Sequence, residues 1–162
     1  RFNFPATLIR STNVYGPHQQ LFKIIPRTYI YARTGKTLEL HGGGTSMKSF
    51  IHIRDVVDGL MRAMDRQKMG TFHLSDPSDR TVRQVVELVC HQMGVKFEDH
   101  VKIVGERPGQ DSRYWLDCRK ANQQLDWRPR IGFEEGVRET LNWLEENWDI
   151  LKAQPLDYIH KS

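Results

Sequence analysis

The sequence predicts an α/β fold built on parallel strands, and three observations carry the prediction. Short β-prone runs alternate along the chain with runs of helical period. The opening run, Ala6-Thr7-Leu8-Ile9-Arg10, has the apolar character of a strand buried between parallel neighbours. One helix is marked at both ends, by Thr81 and Gln84 as a capping box and by Gly94 as its stop.

The elements follow in order. After the opening strand, Asn13 and Gly16-Pro17 signal turns. A helix is expected from Ile24 to Arg33, with Pro26 tolerated in its first turn and Gly35-Lys36 ending it. Leu38 and Leu40 alternate with polar residues as in a strand, and Gly42-Gly43-Gly44 makes a turn. Phe50, Ile51 and Ile53 read as a strand. Asp55 then starts a helix that places Val56, Val57, Leu60, Met61 and Met64 on one face. Gly70 leads into the strand Thr71–Ser75. In the helix that Thr81 caps, Val82, Val85, Val86, Val89, Cys90 and Met93 recur at core spacing. A short strand spans Val101–Val104, and a polar loop holds Pro108-Gly109. A helix is expected from Arg119 to Leu125, broken by Trp127-Arg128-Pro129. The last helix runs from Phe133 with Val137, Leu141, Leu144 and Trp148 as its apolar stripe.

Composition bounds the function. The chain has 162 residues, enough for one domain with a core. No run of roughly 18 apolar residues offers a membrane span. Two cysteines without a CxxC pairing point to reduced thiols and a cytoplasmic setting. The formal charge of +4 is unevenly spread: residues 1–53 carry seven basic side chains against the single acid Glu39. Such a field favours an anionic partner. His18, His41 and His52 lack metal-ligand spacing, so no metal site is expected.

Five motifs then occur in order. They are Arg10-Ser11-Thr12-Asn13-Val14-Tyr15-Gly16-Pro17, Lys23-Ile24-Ile25-Pro26, and Gly42-Gly43-Gly44 followed by Lys48-Ser49-Phe50-Ile51-His52-Ile53-Arg54-Asp55-Val56. Gly105-Glu106-Arg107-Pro108-Gly109-Gln110-Asp111 and Leu125-Asp126-Trp127-Arg128-Pro129 complete the set. Together they resemble the C-terminal part of the extended short-chain dehydrogenase/reductase family. The resemblance is to its NAD-dependent nucleotide-sugar epimerases and 4,6-dehydratases, including those acting on dTDP-glucose, GDP-mannose and GDP-heptose. It implies the last strands and helices of a Rossmann-type parallel sheet plus a C-terminal substrate-binding subdomain, one region over residues 1–162. The family's Gly-rich dinucleotide loop has no counterpart here, and Tyr29 is followed four residues on by Arg33, not Lys. The expectation is a chain without the N-terminal dinucleotide-binding part and without catalytic residues. NAD or NADP would belong to the full-length enzyme and not to this chain alone.

The resemblance also assigns contacts. Asn13 is placed at the diphosphate or adjacent sugar, though a turn Asn bonding its own backbone is the alternative. Lys23 and Ile24 face the nucleotide side, and Glu39 and His41, alternating on one strand face, sit around the base. Arg107 clamps phosphate oxygens through its guanidinium fork, with Gln110 beside it. Lys48 stands where the dTDP-glucose enzymes usually carry Arg, which leaves room for a GDP-linked sugar. Ser11 and Thr12 lie at the nicotinamide end of the cofactor, although β propensity accounts for them equally well.

A second class of function is open to the sequence: a free-standing anion or nucleic-acid binding module using the basic first third and Phe22, Tyr29 and Tyr31. No nucleic-acid motif accompanies those residues. The expected partners are therefore a nucleoside-diphosphate sugar, the missing N-terminal part and further copies of the chain, with no nucleic acid and no membrane.

Overall fold

The computed structural model describes residues 4–106, 109 and 113–155. Its strands are β1 (Thr7–Ser11), β2 (Asn13–Tyr15), β3 (Leu38–His41), β4 (Met47–His52), β5 (Gly70–Leu74), β6 (Asp79–Thr81), β7 (Val101–Val104) and β8 (Arg113–Tyr114). Its helices are α1 (Ile24–Arg33), α2 (Ile53–Asp65), α3 (Val82–Met93), α4 (Phe97–His100), α5 (Arg119–Leu125), α6 (Phe133–Glu146) and α7 (Trp148–Leu151).

Three small sheets result. β1 pairs with β5, and β3 with β7, both parallel. β4 is the hub of the third: β2 and β8 pair with it in parallel and β6 antiparallel. The α/β architecture with parallel strands is as expected, and the antiparallel β6 is an addition.

Packing follows the alternation of β4. Phe50 joins Tyr15, Ile25, Phe133 and Val137 in a core beneath α1, α3 and α6, while Ile51, on the opposite face, packs with Phe72, Leu74, Leu125 and Trp127. A third cluster seats Leu38 and Leu40 against Val86 and Cys90 of α3. The capping box at Thr81 forms with both its hydrogen bonds, and Gly94 closes α3 in the left-handed conformation.

Several boundaries differ from the sequence reading. Ile53 opens α2 and does not end the strand, because the His52 side chain caps the helix by accepting from the Arg54 amide at 3.3 Å. Asn13, read as a turn signal, opens the strand Asn13–Tyr15 because β4 offers it a partner. β6, β8 and α4 are too short to carry a periodic signal. Trp148 falls in α7 after a break at Asn147 and is only partly buried against the first core.

The apolar face of α2 behaves unexpectedly. Val57, Leu60, Met61 and Met64 are exposed, and the helix buries Asp55, Gly59 and Ala63 instead. The close approach needs Gly59, where a Cβ would lie 2.6 Å from Leu74. Leu8 of β1 is likewise exposed, and β1 pairs only with β5 among the described residues.

Candidate functional site

The chain changes sheets at Thr12, between the carboxyl end of β1 and the start of β2. Ligands of open α/β sheets bind outside the carboxyl ends of strands at such switch points. Three buried hydroxyls hold this point together. Ser49 Oγ lies 2.8 Å from Ser75 Oγ, and Thr12 Oγ1 reaches them at 3.3 and 3.2 Å respectively. Ser49 Oγ also donates to the Asp76 carbonyl at 2.7 Å. The triad ties the ends of β1, β4 and β5, so the Thr12 hydroxyl is committed to the fold. Ser11, next to it, is partly buried and its hydroxyl makes no hydrogen bond among the described residues.

Asn13 sits exposed at the head of β2 and donates through Nδ2 to the Ser49 carbonyl at 2.9 Å. That bond fixes its side chain, and Oδ1 accepts no hydrogen bond among the described residues. Lys48, one residue before Ser49, is opposite Arg80 on β6 and Tyr114 on β8. Arg80 lies over the Phe133 ring at 4.4 Å. Two cationic side chains thus stand side by side across β4, close to Asn13. Lys23 is the N-cap residue of α1 and lies over Phe22 at 5.4 Å.

A cavity of roughly 190 Å³ lies at the other end of this row. Ile24, Glu39 and His41 line it together with Arg27, Ser46 and Gly44. The alternation of β3 buries Leu38 and Leu40 and turns Glu39 and His41 outward, as the sequence predicts. His41 Nδ1 donates to the Gly105 carbonyl at 3.3 Å, fixing the ring. Gly42, Gly43 and Gly44 all have positive φ, which lets β3 turn sharply toward β4. A Cβ at Gly44 would lie 2.8 Å from the Arg83 amide nitrogen. Ser46 then opens the extended run into β4, roughly 7 Å before Lys48.

Of the ten residues singled out in the sequence, Ile24, Glu39 and His41 converge on the cavity, and Asn13 and Lys48 converge on the β4 row. Ser11 and Thr12 mark the switch point, and Lys23 borders α1. Arg107 and Gln110 lie outside the described residues. Sequence reading missed Arg27 and Ser46. Arg27 follows Lys23 by one helical turn, a spacing that places both on one stripe. The isolated Ser46 carried no signal.

A larger cleft, about 550 Å³, opens elsewhere, between Asp76, Trp115, Cys118, Trp127 and Pro129. None of the ten residues lines it. The smaller cavity is the candidate because three of the ten residues singled out in the sequence, Ile24, Glu39 and His41, converge on it.

The buried tyrosines are not poised for proton transfer. Burial pushes Tyr15 well above the ordinary phenol range. Tyr29 is pushed up to about 12, first by burial and then by its hydrogen bond to Glu145. The Tyr29–Arg33 pair, 3.0 Å apart, closes on Glu145 of α6 as a structural network.

The model of the family described as GDP-mannose 4,6 dehydratase matches residues 1–140. The chain belongs to this family. The family is one of NAD-dependent, 4,6-dehydratase-like extended short-chain dehydrogenases. A dTDP-glucose 4,6-dehydratase of Streptomyces antibioticus is 34% identical over 150 residues, covering 90% of this chain and 44% of that protein. A trifunctional UDP-glucose 4,6-dehydratase of Arabidopsis thaliana, which is also a 3,5-epimerase and reductase, is 31% identical over 90% of this chain and 22% of its own length. Among solved structures, dTDP-glucose 4,6-dehydratase from Bacillus anthracis in complex with NAD superposes with TM-score 0.85 at 28% identity. That match covers 93% of this chain and 48% of the solved one. The chain therefore spans less than half the length of the relatives it matches.

Proposed function

We propose that the chain is the nucleotide-sugar-binding portion of an NAD-dependent nucleoside-diphosphate-sugar 4,6-dehydratase or epimerase. The observation that carries the reading is the alignment of a base-sized cavity with a cationic row at a topological switch point. The cavity is too small for a whole nucleotide sugar, whose pockets usually run to roughly 300–1,000 Å³. It takes the base, at Ile24, Glu39 and His41. The diphosphate then extends along β4 to Lys48 and Asn13, with Arg107 and Gln110 assigned to the same anion. Lys48 acts as a point charge, and Asn13 offers Oδ1 to a sugar hydroxyl.

The nicotinamide end of NAD fits the carboxyl end of β1, where the Ser11 hydroxyl is uncommitted while Thr12 serves the hydroxyl triad. Bound there, NAD supplies a hydride acceptor at the sugar. This chain's residues orient the sugar through its remote phosphates and base, and remote binding energy of that kind is spent on positioning the reacting carbon. A dinucleotide-binding half is the partner that fits the open edge of β1 and the apolar outer face of α2. It would add a parallel strand to β1 and cover Leu60, Met61 and Met64.

Calorimetric titration of the chain with nucleoside-diphosphate sugars, the corresponding free sugars and an oligonucleotide tests the reading. Binding of the nucleotide sugars without the free sugars supports it. Salt-steep binding of the oligonucleotide with no response to nucleotide sugars overturns it in favour of a polyanion-binding module.

A further inference from the structure

We infer that Thr12, Ser49 and Ser75 are positioning residues: their buried hydroxyl network sets the Asn13 carboxamide and so governs how the chain treats the sugar, as distinct from the diphosphate. The inference rests on the nucleotide-sugar reading above and adds three residues that touch no ligand. Thr12, Ser49 and Ser75 are 5%, 0% and 3% exposed, so any effect they have on binding passes through a neighbour.

The network has a direction. Thr12 Oγ1 donates to Ser75 Oγ at 3.2 Å, and Ser49 Oγ donates to the Asp76 carbonyl at 2.7 Å. The 2.8 Å contact between Ser75 and Ser49 is then donated by Ser75, because the single proton of Ser49 is already spent. Every hydroxyl proton has an acceptor, and the chain of bonds ends on one carbonyl. A satisfied buried network of this kind fixes one geometry. Apolar side chains of the same size would fill the space at little net cost without fixing it.

That geometry reaches Asn13 by two routes. Thr12 is its covalent neighbour, and the Thr12 amide is held by the Leu74 carbonyl at 3.3 Å. Ser49 supplies the carbonyl that accepts from Asn13 Nδ2 at 2.9 Å. The contacts close a ring: Thr12 to Asn13 through the backbone, Asn13 to Ser49 through Nδ2, and Ser49 back to Thr12 through hydroxyls 3.3 Å apart. An exposed carboxamide without such a tether turns either end toward a ligand. Here Nδ2 is engaged by a carbonyl, so Oδ1 is the end presented to a donor. A sugar hydroxyl is such a donor, whereas the oxygens of an ionised diphosphate only accept. The network therefore bears on the sugar and leaves the diphosphate to the cationic side chains.

Calorimetric titration of the 162-residue chain with UDP-glucose, dTDP-glucose and GDP-mannose, each beside its free diphosphate, tests the inference. The quantity read is the affinity for the sugar-bearing ligand relative to its diphosphate. Ser49→Ala is a mild perturbation, because Ser75 Oγ can turn its proton to the Asp76 carbonyl, already 3.2 Å away. It should lower that ratio about two- to tenfold, as for the loss of one neutral hydrogen bond, and leave the diphosphate affinity within about twofold. Thr12→Val should act in the same direction, and Thr12→Ser should restore the parent ratio. Asn13→Ala should lower the ratio as far, and the double variant Ser49→Ala with Asn13→Ala no further, since the network works through Asn13. Equal weakening of sugar and diphosphate, additive losses in the double variant, or an unchanged ratio overturns the inference and leaves the nucleotide-sugar reading standing. The Asn13 side-chain amide gives a second readout that needs no ligand. Its Nδ2 protons should exchange with solvent more slowly in the parent than in Ser49→Ala, and equal exchange also overturns the inference. If none of the nucleotide sugars binds the parent chain, the nucleotide-sugar reading falls and the inference with it.

Discussion

Asp55 offers a sharp test of how the two halves of the fold are joined. It is 5% exposed and sits in the first turn of α2. Its Oδ1 accepts from the Arg130 amide at 3.0 Å and its Oδ2 from the Ile131 amide at 3.2 Å. Its own carbonyl accepts from Trp127 Nε1 at 2.8 Å. One residue thus pins the segment that leads into α6. Hydrogen bonds to a charged acceptor contribute about 1.5–3 kcal/mol each, and removal also strands two part-buried amides. Asp55→Ala should cost about 3–5 kcal/mol, and Asp55→Asn, which keeps one acceptor oxygen, about 1.5–3 kcal/mol. With a urea slope of about 2 kcal/mol per M, the unfolding midpoint of the Ala variant drops by roughly 2 M and that of the Asn variant by roughly 1 M. Tryptophan fluorescence reports the transition, because Trp127 is buried at the joint. If both variants unfold within about 0.3 M of the parent, the two amides find other partners and the pinning argument fails.

The remaining predictions concern charge. Burial, partly opposed by Glu139, lowers the pKa of His52, so the folded state holds it neutral at pH values where the unfolded chain, near 6.5, is taking up a proton. Its contribution to stability is full above about pH 6.5 and is lost as pH falls below that value; His52→Gln should flatten the decline seen in urea titrations at stepped pH, and an unchanged slope refutes the assignment. Lys48→Ala should weaken nucleotide-sugar binding by roughly 1–3 kcal/mol at low salt, less at high salt, with Lys48→Arg retaining most of the affinity; calorimetry showing no change removes Lys48 from the site. Incubated with NAD and a panel of nucleotide sugars, the 162-residue chain should give no 4-keto product, and turnover would place catalytic groups within it.

What was legible in the sequence was whatever repeats or sits at a fixed spacing. The helix at Val82–Met93 announced itself by its capping box and valine stripe, and α1 and the start of α6 by their apolar periods. The alternation of Leu38, Glu39, Leu40 and His41 sorted core from cavity before any coordinates. The α2 stripe shows the limit of the same logic. Periodicity finds an apolar face but not the surface that covers it, and here Gly59 and Ala63 face the core while the larger side chains stay exposed.

The site itself depends on contacts between distant residues, and these have no local signature. Thr12, Ser49 and Ser75 are separated by 37 and 26 positions, yet their hydroxyls form one cluster at the point where the chain changes sheets. Arg27 and Ser46 become informative only when the fold places both in the lining of one cavity. Family motifs single out Asn13 and Lys48, which lie in recognisable runs, whereas Glu39 and His41 rest on the alternation of β3. The motifs pass over Arg27, which follows the Lys23–Pro26 run on α1. The lining of that cavity has to be read from the fold, because α1, β3 and the approach to β4 bring Arg27, Glu39 and Ser46 together across gaps that no local pattern spans.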